Sequence, residues 1–179
     1  MRTLLRHRVV VLLGLVLLAG LASFACGGGK EIDTEKLVPE GSSLIGSIQF
    51  EKILNDVDLE SIYQALPVDG GDLQTIDQLL NEAMAQTGVD FRKISHATFF
   101  ADVSRPGDFL GIIVRGSFDE DAVVAALQAA GEAPLTATDY KGRRVHSAED
   151  DQDQGALVVL EGDNLVVGTL EAVRAVIDV

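Results

Sequence analysis

Tryptophan is absent from this 179-residue chain, tyrosine occurs twice and cysteine once. Without indole rings, and with so few phenols, the chain lacks the aromatic platforms usual around bound sugars. A single cysteine, Cys26, cannot form an internal disulfide. Basic residues number 14 against 28 acidic ones, and after residue 25 the one group of three close together is Lys141, Arg143 and Arg144. A phosphate backbone calls for a clustered basic patch, so nucleic acid is excluded as an expected partner, and direct adsorption to anionic lipid is disfavoured for the same reason.

Catalytic signatures are equally scarce. There is no Gly-x-Ser-x-Gly elbow and no Ser-x-x-Lys pair to carry a serine nucleophile. His96 and His146 stand far apart, in no His-x-x-x-His, Glu-x-x-His or Cys-His pattern, and read as structural histidines. Carboxylates abound, but paired acid and base chemistry needs one of them in a shielded cleft, which abundance alone does not supply. No cofactor is expected, and the chain reads as a non-enzyme.

What is present is concentrated at the N-terminus. Arg2, Arg6 and Arg8 lead into a run of apolar and small residues from Val9 to Ala25, which stops at Cys26. Positive charge before an apolar stretch, with a small residue ahead of a cut site, is the pattern of an export signal, with Ala25 as the cleavage residue. The segment Leu21-Ala-Ser-Phe-Ala-Cys26-Gly-Gly-Gly29 resembles the lipobox of bacterial lipoproteins. That resemblance implies a diacylglyceryl group on the Cys26 thiol and cleavage after Ala25. The family usually has Leu three residues before the cysteine and a small residue two before, where this chain has Ser23 and Phe24. Two alternatives stay open: an ordinary secretory cut, since Ser23-Phe24-Ala25 is also small-x-small, and an uncleaved anchor. The run sits at the short end of the about 17–25 residues a membrane helix needs, and it contains Gly14 and Gly20.

Removing residues 1–25 takes away three basic residues and no acidic one, which leaves 11 against 28, a formal charge of −17 on 154 residues. One acyl chain holds a protein weakly, so stable attachment of so acidic a chain requires lipoprotein-type multiple acylation. Gly27 to Gly29 and the mixed-charge stretch Lys30 to Lys36 read as a flexible tether, placing residues 26–38 outside the fold. The string Gly27-Gly-Gly-Lys30 looks like part of a phosphate loop, but Phe24 and Glu31 stand where that motif needs Gly and Ser or Thr.

Residues 39–179 then read as a single α+β domain: an antiparallel sheet of about five or six strands with helices packed on one face. Ser43 to Phe50 is a strand and Glu51 to Leu66 a helix ended by Pro67. Asp72 is placed to cap a second helix, Leu73 to Gln86, that Gly88 ends. Strands around Ala97 to Ala101 and Phe109 to Val114 flank a turn. Ser117 and Glu120 have capping-box spacing ahead of a helix from Asp119 to Ala130 that Gly131 stops. Thr136 to Tyr140 and Arg143 to Ser147 form a hairpin across Lys141-Gly142, and Ala156 to Leu160 pairs with Leu165 to Val167. Thr169 to Val179 opens a last helix; either it packs its end inside the fold or the sequence is the front portion of a longer protein.

One acidic constellation has metal-loop spacing. Counting from Asp150, the third, fifth, sixth and twelfth positions are Gln152, Gln154, Gly155 and Glu161, as in a calcium-binding EF-hand. The glutamines are poor ligands and the flanks read as strands, so no metal site is expected; Asp150, Asp151, Asp153 and Glu161 are the only candidate ligands. If lipobox sorting applies, the resemblance places the chain outside the cytoplasm, anchored to the bacterial cell membrane or outer membrane through Cys26. The function expected is a non-enzymatic envelope lipoprotein with a protein partner, which calls for an exposed apolar patch beside the sheet. A carrier of a small apolar ligand or lipid would instead need a cavity lined by residues such as Phe99, Phe109 and Leu127. A secreted hydrolase would need His96 or His146 in a cleft beside a carboxylate and a hydroxyl.

Overall fold

The computed structural model of the chain describes residues 33–56, 75–105, 107–130, 134–149, 154–161 and 163–179. Its centre is one antiparallel sheet of seven strands: β1 (Leu44–Ile48), β2 (His96–Ala101), β3 (Leu110–Arg115), β4 (Leu135–Tyr140), β5 (Arg143–Glu149), β6 (Gln154–Leu160) and β7 (Asn164–Thr169), in the order β1-β2-β3-β7-β6-β5-β4. The described helices are α1 (Phe50–Asp56), α2 (Ile76–Thr87), α3 (Glu120–Ala130) and α4 (Leu170–Asp178). α3 carries the chain from β3 to β4 at the far edge of the sheet. The next three strands then step back until β7 meets β3, so the sheet consists of two meanders sewn along one seam.

Two expectations need correction: the sheet has seven strands rather than five or six, and its helices cover both faces rather than one. The cause is visible in β6. Val158 is buried in a cluster with Phe100, Ile113, Val145 and Val166 beneath Val173 and Val176 of α4, while its neighbours Leu157 and Val159 belong to a second cluster with Val123, Val124 and Leu127 of α3. Successive strand residues point to opposite faces, so a continuous apolar run requires cover on both.

Local chemistry fixes the helix ends. Thr169 caps α4 by accepting from the Ala172 amide at 3.4 Å, and Ala172, Val173 and Val176 form its buried face. Gly88 closes α2 in the left-handed region, at φ 69°, with its N–H donating to the Met84 carbonyl as expected. α2 begins at a capping box between Thr75 and Gln78; Asp72, the residue expected to cap it, and the expected helical stretch 57–66 lie outside the described residues. α3 also starts differently, because Asp119 rather than Ser117 accepts from the helix, at 3.1 Å from the Ala122 amide. Glu120 is thereby released from the expected capping box and turns its carboxylate to β5.

The segment read as tether does not run as far as Lys36. Asp33–Leu37 forms a 3-10 helix against the sheet, with Thr34 wholly buried and Leu37 and Val38 packed on the α4 cluster. These side chains turn inward while Glu35 and Lys36 are exposed, so the stretch shows no regular periodicity.

Candidate functional site

Thr34 builds a polar network where the N-terminal segment meets the sheet. Its hydroxyl shares hydrogen bonds with Thr98 Oγ1 at 2.9 Å and His96 Nε2 at 2.8 Å. The Ser95 hydroxyl lies 3.2 Å from His96 Nδ1, and Ser47 connects Thr98, at 3.1 Å, to Glu35, at 3.3 Å. Thr34 and Thr98 are both fully buried, and the bonds between them satisfy groups that would otherwise be costly to bury. This arrangement fastens the chain entry to β1 and β2. The Thr34 and Thr98 hydroxyls are 0 % exposed and serve this packing.

His146 is buried on the opposite face, its Nε2 2.8 Å from Glu120 Oε1, and Arg144 Nη1 lies 3.6 Å from the same oxygen. The pair docks the start of α3 onto β5. The groups a hydrolase would need are therefore divided: His96 meets hydroxyls from Ser95 and Thr34 on one face, and His146 meets a carboxylate on the other.

The carrier set is divided as well. Phe109 is buried in the α4 cluster, 5.9 Å from Phe100 in an edge-to-face pair, whereas Leu127 packs on the α3 side and the half-buried Phe99 lies across Gly46. Of the four calcium candidates Glu161 alone is described, directly after the seven residues of β6. Glu161 sits in the β6–β7 turn with Arg143 at 3.6 Å. Asp150, Asp151 and Asp153 lie outside the described residues, as do Ala25 and Cys26, and among the described residues no group of three metal-type ligands occurs. A surface depression of about 440 Å³ lies along α4, lined by Tyr140, Leu170, Glu171, Arg174, Ala175 and Asp178. Its charges are mutually occupied: Lys141 Nζ stands 2.7 Å from Asp178, which also accepts from the Tyr140 hydroxyl, and Arg174 lies over the Tyr140 ring.

Among the described residues the most exposed apolar feature is the half of the α3-side sheet face that the described helices do not cover. Cross-strand pairing aligns Leu44, Ala101 and Leu110 in one row, and Phe99, Ile112 and Val167 in the next. Leu44 is 48 % exposed, Leu110 46 % and Val167 37 %, and neither row contains a charged residue. The sequence did not single out this surface, because the same residues supply the strand pattern, and which end of a face stays bare depends on where the helices cross.

An ionic knot braces the β2–β3 turn against α4. Asp102 accepts from the Ser104 hydroxyl at 2.7 Å and from Arg105 Nε at 2.9 Å, and Arg105 reaches Glu171 at 2.6 Å. These contacts, the Ser104 hydroxyl first, hold the Asp102 carboxyl down at about 2, from its ordinary 3.8. A depressed folded-state value means that the contribution is complete above about pH 4 and is lost as pH falls toward 2. Urea midpoints recorded from pH 5 to pH 2 should therefore fall less steeply for Asp102→Asn than for the wild type.

Comparison of the chain with protein-family models, with curated proteins and with solved structures gives no match.

Proposed function

We propose that this chain is a lipid-tethered extracytoplasmic protein, held at a bacterial membrane by acylated Cys26, that works by docking a protein partner on the bare half of its sheet. The observation that carries the docking half is the pair of uncharged rows, Leu44–Ala101–Leu110 and Phe99–Ile112–Val167. Such a contiguous apolar surface on a strongly acidic protein is costly to leave wet, and its burial against a partner supplies about 25 cal/mol per Å². The division of His96 and His146 between opposite faces favours binding over hydrolysis. The separation of Phe109 from Phe99 and Leu127 favours a surface site over an enclosed one.

Site-specific photocrosslinking in living cells tests the docking half. A photoreactive residue at Val167 or Leu110 should give a discrete covalent adduct, whereas one at the exposed Thr138 on β4 should not. Equal labelling from all three positions, or none from the bare face, would contradict the reading.

A further inference from the structure

The sheet ends in two unlike edges. β4 is followed directly by Lys141, Arg143 and Arg144 and carries Asp139, charges that keep a sheet edge from pairing. β1 reads Leu44-Ile-Gly-Ser-Ile48, with no charge and no proline, and its first two side chains stand on opposite faces and are both half exposed, Leu44 at 48 % and Ile45 at 53 %. Among the described residues no strand pairs with the outer side of β1, and its half-exposed first residues, Leu44 and Ile45, are unprotected against pairing with another strand.

From the self-complementarity of this strand we infer that β1 pairs antiparallel with β1 of a second copy, about a two-fold axis through Gly46. That register sets Leu44 opposite Ile48 and Ile45 opposite Ser47 at each end, covering the two exposed aliphatic side chains with neutral partners. It brings Gly46 to Gly46, where each copy's own Phe99 ring lies across the glycine and closes the gap left by the missing side chain. The strand itself carries no charge, so no like charges meet across the axis.

The geometry also suits a tethered protein, a point that rests on the function proposed above. A two-fold relating antiparallel strands stands perpendicular to the sheet, so the α4 face of both copies looks the same way. Thr34 bonds Thr98 on that face, which places both Asp33–Leu37 segments, and hence both chain entries, on one side of the joined sheet. Two membrane-bound copies also meet at high effective concentration, which favours a pairing that neighbouring acidic surfaces weaken in dilute solution.

The test is sedimentation of the full chain in detergent, beside Ile45→Lys, with each repeated in Cys26→Ser. The wild type should sediment as a dimer and Ile45→Lys as a monomer with unchanged circular dichroism, since position 45 is half exposed. The Cys26→Ser chain should follow the same pattern, which separates this inference from the acylation reading. The register is read independently: Ile45→Cys with Ser47→Cys should yield a covalent dimer on mild oxidation of isolated membranes, and Thr138→Cys should not. A wild type that stays monomeric in detergent, together with an Ile45→Cys, Ser47→Cys chain that does not cross-link in membranes, would overturn the inference. So would a dimer that survives Ile45→Lys.

Discussion

Truncating Phe100 to alanine is expected to destabilise the domain by about 3–5 kcal/mol, the range for removing a well-packed aromatic side chain. Phe100 is 1 % exposed, stacks edge-to-face on Phe109 at 5.9 Å and lies over Gly111 of the adjacent strand. It therefore spans β2, β3 and the turn between them. Phe99→Ala, one residue earlier on the half-covered face, should cost clearly less. Single domains retain only about 5–15 kcal/mol in all, so the first substitution should shift the urea midpoint far more than the second. Equal effects would mean that the α4 cluster is not the main core.

The second large effect is expected at the seam between the two meanders. Gly168 pairs with Gly111, and a Cβ on Gly168 would come 2.4 Å from the Leu110 carbonyl oxygen and 2.7 Å from the Gly111 Cα. Both are backbone atoms, which cannot swing aside as a flexible side chain does. Gly168→Val should therefore cost about 3 kcal/mol or more by overpacking. Gly155, on the adjacent strand β6, has nothing within 4 Å of a built Cβ and is exposed. Gly155→Val should stay within about 0.5 kcal/mol of the wild type, the usual range for a surface change. Thermal melts of the two variants side by side distinguish a seam that needs glycine from a general intolerance of bulk in the sheet.

What the sequence makes legible follows from how local each signal is. The Lys141-Gly142 turn is readable because two successive residues at φ 52° and 76° suit a tight hairpin, and short-range pairing follows from it. Thr169 announces α4 for the same reason: a cap and a periodic apolar face lie within a few residues. Partner choice across the sheet is not local. Nothing in Leu110–Arg115 says that its second neighbour is β7, more than fifty residues on, because pairing is decided by the packing of α3 and α4 on opposite faces. Leu157 and Val159 alternating with Val158 did carry the evidence for two covered faces, yet an apolar run also fits a strand covered on one face only. At Asp33–Leu37 the signal is a single buried Thr34, whose partners Thr98 and His96 lie more than sixty residues away. The bare rows at Leu110 and Val167 depend on helix placement, so no motif marks them.

Intact mass is the most direct test of the tether on which the functional account stands. The protein is extracted in detergent from an expressing bacterium and compared with its Cys26→Ser variant. The account predicts a wild-type mass equal to the chain from Cys26 plus a diacylglyceryl group with any further acyl chain, and a variant without that addition. An unmodified chain beginning at Cys26, or a full-length chain beginning at Met1, would contradict it.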